Sequence, residues 1–199
     1  MTFRFPLLAA PLISVCSIQA AAQTCHAPHY RWPEKTSTAL LGNAPQPVTI
    51  GAMLRWRAPE IGPGPAFWCA PRVGLERQVL SVVGWVRRVD KTKDDGDWHI
   101  ELTEGRRDRV DACIVVEIPM AELHPAFLTA RATLDSALTR THVDRHGDLA
   151  KPIPLRVMGP AFFDGEHLSR KGRLQPHGRC WSTAGALWEI HPVYRIDRQ

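Results

Sequence analysis

The stretch VLSVVGWVRRVDKTKDDGDWHIELTEGRRDRVDACIVVEIP, residues 79–119, contains the pattern that decides the fold. Runs rich in Val and Ile alternate with two turn sequences, DDG at 94–96 and EGRRD at 104–108. Apolar runs bounded by such turns are typical of antiparallel strands. The pattern predicts strands over residues 78–89, 97–103 and 110–118. Gly84, inside the first strand, predicts a bulge or sharp bend.

The sequence that follows adds a helix and two more strands. Pro125 suits a first helical turn, and apolar residues recur after it at helical spacing. They are Phe127, Ala130, Leu134, Ala137 and Leu138. Further strands are predicted over 153–158 and 187–196. The order β-β-β-α-β-β with a bent first strand predicts a mainly β, OB-fold-like, partly open barrel of five strands. An unrelated α+β sandwich would show the same order and stays an alternative.

The N-terminal part of the chain divides into two segments. Residues 1–22 combine Arg4, an apolar run and a small-residue cleavage pattern ending at Ala22, which predicts a secretory signal peptide. A lipoprotein signal ending before Cys16 is a weaker alternative. We therefore expect export to the periplasm or the medium, and a mature chain without a transmembrane segment. Residues 23–75 are rich in Pro and Gly but carry several aromatic side chains, and predict an irregular arm that packs on a domain formed by 76–199.

Composition and cysteine count limit the classes of function. The 199 residues are 44% hydrophobic and 23% charged, which excludes a disordered or collagen-like chain. The formal charge of +5, one unit of which is on Arg4, permits nucleic-acid binding but does not indicate it. Beyond the signal segment, the cysteines are Cys25, Cys69, Cys113 and Cys180. An exported chain would form up to two disulfides from them, with three pairings possible, or keep Cys113 as a buried thiol.

Side-chain alternation predicts a polar face on three strands. Because neighbouring residues of a strand point to opposite sides, one face carries carboxylate and imidazole groups. Its members are Asp97, His99, Glu101, Glu117, Glu189 and His191. The opposite face is apolar and includes Trp98, Ile100 and Trp188. A half-exposed antiparallel sheet is often polar on its outer side, so a purely structural or solvated face is the competing interpretation.

The loop AFFDGEH, residues 161–167, adds Asp164 and His167. If this loop folds over the polar face, His99, His167 and His191 converge as ligands for a divalent metal such as zinc. A neighbouring carboxylate, Glu117 or Glu189, would then act as a general base.

Arg131 is predicted on the apolar side of the helix. An Arg at such a position usually pairs with an acid or extends along apolar surface, and binding of an anionic substrate is the alternative.

Four motifs resemble those of a group of uncharacterised bacterial proteins, many of them exported. They are DGDWHIEL (95–102), IVVEIP (114–119), GPAFFDGEH (159–167) and LWEIHPVYRI (187–196). The resemblance covers about residues 76–196 and implies no particular reaction. DGD at 95–97 after a long strand is also similar, more faintly, to a segment of the staphylococcal nuclease family, which uses an OB-type barrel. That family's Arg-rich strand and following acid pair are missing here, so its catalytic residues are not carried over.

Two functions follow as hypotheses. The first is an exported module that binds an unidentified ligand on the polar face and the loop after the fourth strand. Its candidate binding residues are Asp97, His99, Glu117, Arg131, Asp164, Glu189 and His191. The second is a metal-dependent hydrolase of the phosphodiesterase or nuclease class at the same face. A structural or envelope-interaction protein is a third alternative.

Overall fold

The computed structural model describes residues 29–62, 65–92, 94–169, 171, 173–181 and 183–199. The predicted signal peptide and Cys25 lie outside these residues. Within them the chain forms three α-helices and seven strands. The helices are α1 (Trp32–Lys35), α2 (Ile50–Met53) and α3 (Pro125–Leu138). The strands are β1 (Gln46–Pro47), β2 (Val79–Asp90), β3 (Trp98–Thr103), β4 (Cys113–Ile118), β5 (Asp148–Phe163), β6 (Trp188–Ile190) and β7 (Arg195–Arg198).

Five of the strands close into a barrel. Their order is β2-β3-β4-β6-β5, and β5 pairs back onto β2 over most of the length of both strands. The β4–β6 pair is parallel and the other pairs of the barrel are antiparallel. β1 adds to β2, and β7 adds to β5. The mainly β barrel predicted from the strand pattern is therefore present.

β2 contains an irregularity of the kind its sequence predicts, but it lies after Gly84. Its register against both neighbours shifts between Val86 and Arg88. Gly84 serves a packing purpose, because a Cβ there would lie 2.8 Å from the Ile50 side chain and 3.2 Å from that of Leu102. The missing side chain lets α2 lie directly on the barrel wall.

The apolar face of β3 and β4 fills the barrel as predicted. Ile100, Leu102, Ile114 and Val116 are buried, and the five predicted apolar residues of α3 pack against the same core. Burial of each Val, Leu, Ile or Phe side chain among them contributes about 1.5–3 kcal/mol to folding. Trp188 is buried, but Trp98 is only half-buried, because its ring lies beneath the Arg131 guanidinium and the Lys91 ammonium at the surface.

The predicted last strand, 187–196, is wrong as a single element. The chain forms the short strands β6 and β7 instead, with Pro192 after a cis peptide bond between them. Proline has no N–H to donate to a sheet ladder, so pairing stops there. The predicted fourth strand, 153–158, is only the middle of β5. The observed strand extends beyond it to include Pro152, Pro160 and the first three residues of the AFFDGEH loop.

The polar face of the barrel is buried, so its interpretation as a solvated surface is wrong. Arm residues such as Lys35 cover one side of it, and the described residues within 168–187, which we name the strap, cover the other. Cys180 of the strap forms a disulfide with Cys113 of β4. Arg179 donates its backbone N–H to Glu101, 3.0 Å away. The alternative of a free thiol at Cys113 is therefore excluded, and Cys69 is also disulfide-bonded.

Disulfides are typical of proteins that fold in an oxidising compartment. Within the described ranges, no helix combines the length and apolar composition needed to cross a bilayer.

Candidate metal centre

A cluster of ionisable side chains is enclosed between the polar face, the arm and the strap. None of its members is more than 5% exposed. This buried cluster consists of Lys35, Asp97, His99, Glu101, Glu117, Asp164, His177, Glu189 and His191. Burial of charged groups is costly unless they are paired, so the arrangement of charges in the cluster determines its chemistry.

His191 lies among three carboxylates. Its Nδ1 is 3.1 Å from Glu117 Oε2 and 3.1 Å from Glu189 Oε1, and its Nε2 is 3.0 Å from Asp97 Oδ2. The pair formed by Nε2 and Asp97 lacks the alignment of a hydrogen bond, and both Asp97 oxygens are buried without a hydrogen-bond partner among the described residues. Carboxylate oxygens therefore face both ring nitrogens of His191, and Asp97, Glu117 and His191 each offer one ligand atom within 4.8 Å of the others.

The same surroundings favour positive charge at His191. Burial alone would lower the pKa of this imidazole, but Asp97, Glu117 and Glu189 outweigh it and raise the pKa well above its ordinary value. The position between Nε2 and Asp97 therefore attracts a cation, which is either a proton or a metal ion.

Asp97 is held in place by the backbone around it and by Arg131. Its N–H is bonded to the Asp95 side chain, and the Arg131 guanidinium donates to the carbonyl oxygens of Gly96 and Ile118, the residues before Asp97 and after Glu117. The contacts given for Arg131 are with these two carbonyl oxygens and the Trp98 ring, and they make it a positioning residue for the two acids. Its part in binding stays a prediction.

His99 is clamped between two carboxylates of neighbouring strands. Its Nδ1 is 2.8 Å from Glu117 Oε1, and its Nε2 is 3.5 Å from Glu101 Oε1. Arg88 also pairs with Glu101, at 3.1 Å. Burial would raise the pKa of Glu117, but the hydrogen bonds from His191 and His99 outweigh it and hold that pKa well below its ordinary value. Glu117 is thus an ionised carboxylate with one oxygen facing each imidazole.

Asp164 and two imidazoles form the part of the cluster nearest the solvent. Asp164 Oδ2 is 3.1 Å from His167 Nδ1 and 3.8 Å from His177 Nε2, and His177 Nε2 is also 3.6 Å from Glu189 Oε2. A cavity of about 130 Å³ opens from here to the surface. It is lined mainly by acids and imidazoles: Lys35, Asp94, Asp95, Glu117, Asp164, Glu166, His167, His177 and Gly178.

The described residues contain three groups of side chains whose ligand atoms lie within 4.8 Å of one another. They are Asp97, Glu117 and His191; His99, Glu117 and His177; and Asp164, His167 and His177. The groups overlap through Glu117 and His177 and form a continuous row from the barrel wall to the cavity. We call the first group the inner site and the third group the outer site.

Among the described residues, the carboxylates of the buried cluster outnumber the Lys and Arg side chains paired with them. Five carboxylates belong to it, and the Lys and Arg side chains paired with them among the described residues are Lys35 and Arg88. Burial lowers the pKa of His177 to about 3, so this imidazole stays neutral. Burial and the charge of Glu117 raise the pKa of Glu189 to about 7. The cluster therefore stores excess negative charge that protons on imidazole and carboxylate, or metal ions, must neutralise.

No model of a known protein family matches the chain, and no curated protein matches it significantly. The assignment of a site therefore depends on geometry. The structure brings together the predicted residues Asp97, His99, Glu117, Asp164, His167, Glu189 and His191. The three predicted ligands His99, His167 and His191 do not share one group, because each belongs to a different one of the three.

Two members of the cluster were missed at the level of sequence. Lys35 comes from α1 in the Pro-rich arm, and its Nζ lies 3.9 Å from Asp164 Oδ2. His177 comes from the irregular strap, where no periodicity marks a direction for its side chain. One signal in the sequence pointed to them. Both lie near cysteines and aromatic residues, in segments that carry too many apolar side chains to be free linkers.

Proposed function

We propose that the protein binds a divalent transition-metal ion at the inner site, with Asp97, Glu117 and His191 as ligands. The observation that carries the proposal is the 3.0 Å approach of His191 Nε2 to a buried Asp97 carboxylate whose oxygens form no aligned hydrogen bond among the described residues. If Nε2 carried a proton, its N–H would be expected to point at the Asp97 carboxylate. Two ligands of one metal ion need no such alignment with each other. One imidazole and two carboxylates suit zinc or manganese.

The size of the access route favours an ion over a larger ligand. Pockets for small molecules usually have volumes of about 300–1,000 Å³. The cavity beside the buried cluster has about 130 Å³, and the arm and strap cover the rest of the polar face. The ligand of the proposed binding module is therefore the metal ion, and the covered polar face leaves no surface on which an oligonucleotide or oligosaccharide could lie.

We also propose that the barrel is of the OB type and that residues 1–22 direct export. The strand order, the parallel β4–β6 pair and the helix between β4 and β5 support the first proposal. The disulfide between Cys113 and Cys180 supports the second. The resemblance to exported bacterial proteins agrees with the second.

The test is metal binding by the chain exported into a bacterial periplasm and purified without a histidine tag. After removal of metal by a chelator, the protein is titrated with Zn²⁺ and with Mn²⁺ by calorimetry. We expect tight binding, and a loss of inner-site affinity of at least about 100-fold in the Asp97→Asn, His191→Gln double variant.

His146→Gln is the matched control, because this exposed imidazole lies outside the buried cluster. Its affinity should equal that of the wild type. A folded wild type that takes up no ion, or a double variant with wild-type affinity and stoichiometry, would overturn the proposal.

A metal-dependent hydrolase is the second candidate. Structural metal sites are usually closed by protein ligands, whereas catalytic ones keep an open position. Here the row of ligand groups reaches the cavity, which His177 lines. Glu189 Oε2 lies 3.6 Å from His177 Nε2 and has no hydrogen-bond partner among the described residues. Glu189 is the base that this arrangement offers. This second candidate requires that the protein hydrolyse a small ester and that a chelator abolish the hydrolysis.

A further inference from the structure

The strap and the AFFDGEH loop form a second constellation that the inner site does not use. Asp164 follows β5, His167 ends the short turn after it, and His177 comes from the strap. The carboxylate and the His177 ring are buried, while His167 is partly exposed toward the cavity. Two separate segments therefore converge on one point at the edge of the solvent.

His177 provides the observation that points to a ligand. Its side chain is only 4% exposed, and its Nδ1 is buried without a hydrogen-bond partner among the described residues. Its contacts through the ring are with the imidazoles of His99 and His167, whose centroids are 5.3 Å and 4.3 Å away. A buried imidazole without a hydrogen bond is uncommon, since the cost of removing it from water is not recovered.

The separations around His177 fit a shared ion better than direct contacts. Its Nε2 lies 3.8 Å from Asp164 Oδ2 and 3.6 Å from Glu189 Oε2, distances too long for hydrogen bonds. Two ligands of a tetrahedral ion with bonds of about 2.1 Å lie about 3.4 Å apart. The 3.8 Å separation between His177 and Asp164 is close to that value, whereas His167 Nδ1 is hydrogen-bonded directly to Asp164 Oδ2 at 3.1 Å.

The charge around the cavity favours a cation at this point. Asp94, Asp95 and Glu166 line its mouth, and the single ammonium group beside Asp164 among its lining residues is that of Lys35. A cleft lined by one sign of charge concentrates ions of the opposite sign.

We propose that Asp164, His167 and His177 form a second divalent-metal site, open to solvent, so that the buried cluster holds a pair of ions. Its ion enters through the acidic mouth and exchanges faster than the ion of the inner site, which the strap and barrel enclose. Imidazole and carboxylate ligands again suit zinc or manganese. The proposal does not require the inner site, because the two groups have no residue in common.

The test compares the wild type with two double variants, each confirmed to be folded by circular dichroism. Zn²⁺ is titrated by calorimetry, and release to a chelating dye is followed by stopped flow. We expect two equivalents and two release phases in the wild type. His167→Gln, His177→Gln should lose the fast phase and one equivalent, while Asp97→Asn, His191→Gln should lose the slow phase.

Each outcome separates the two sites. A single equivalent that the His167, His177 variant abolishes and the Asp97, His191 variant keeps would sustain the outer site and refute the inner one. A wild type that saturates at one equivalent, with the His167, His177 variant unchanged, would overturn the outer site and leave the inner site standing. His146→Gln should behave as the wild type in every measurement.

Discussion

At the scale of single residues, Gly178 is a position where the strap packs tightly against the polar face. Its backbone has a positive φ of 61°, a conformation that residues with a Cβ seldom adopt. A Cβ at this position would lie 2.4 Å from Glu101 Oε1 and 2.7 Å from His99 Nε2. The Glu101 carboxylate cannot move aside easily, because Arg88 and the Arg179 N–H hold it.

We therefore expect Gly178→Ala to lower the free energy of unfolding by about 1–3 kcal/mol. Urea unfolding followed by tryptophan fluorescence measures the change. Gly42→Ala is the matched control, because its Cβ would have no neighbour within 4 Å, and its effect should stay within about 0.5 kcal/mol. Equal unfolding midpoints for the two variants would show that the strap does not approach β3 so closely.

Residue-scale chemistry was predictable where it followed strand alternation. Asp97, His99 and Glu117 lie on the same face because the side-chain period of a strand is two. His177 and Lys35 were not predictable in this way, since irregular backbone has no period that orients a side chain. Their positions depend on how the arm and the strap fold over the barrel, and only the tertiary structure shows this.

At the scale of elements, the strands with the clearest pattern were placed to within a few residues. β2, β3 and β4 begin and end close to their predicted limits, because turn residues separate them. The predicted last strand was wrong. The apolar residues of WEIHPVYRI suggested one continuous strand, but Pro192 interrupts the hydrogen-bond ladder of the sheet. The polar face was correctly grouped, but its burial was not foreseen, since the covering segments carry no regular structure.

The strap is the element whose attachment is easiest to test. Its disulfide to β4 spans 67 residues of sequence, and a cross-link of that length stabilises the folded state by about 4 kcal/mol in the chain-entropy description. We expect the Cys113→Ala, Cys180→Ala double variant to lose about 2–4 kcal/mol of unfolding free energy.

Hydrogen exchange gives the local measurement for this variant. The backbone N–H groups of Arg179 and Trp181, which are bonded to Glu101 and Asp111, should lose protection. The amides of the β3–β4 ladder, such as Leu102 and Ile114, should keep most of theirs in a protein that stays folded. Unchanged protection at Arg179 and Trp181 would contradict the view that the disulfide holds the strap on the cluster.

At the scale of the whole molecule, the barrel core and the buried cluster contribute to stability in opposite ways. The apolar interior stabilises the fold, while the excess of buried carboxylates over their paired cations destabilises it. A bound divalent ion would relieve that repulsion, and ions that bind only the folded state stabilise it by mass action.

Zinc at 100 times its dissociation constant should therefore add about 2.7 kcal/mol to the free energy of unfolding. For a chain of this size, that corresponds to a rise in Tm of about 5–10 °C, measured by calorimetry on metal-stripped protein. Mg²⁺ should give a smaller rise, because it prefers oxygen ligands and loses water reluctantly. The rise with zinc should shrink in the Asp97→Asn, His191→Gln variant and persist in His146→Gln. If the two variants responded alike, the ion would be acting elsewhere, and the unpaired carboxylates would be neutralised by protons on His191 and Glu189.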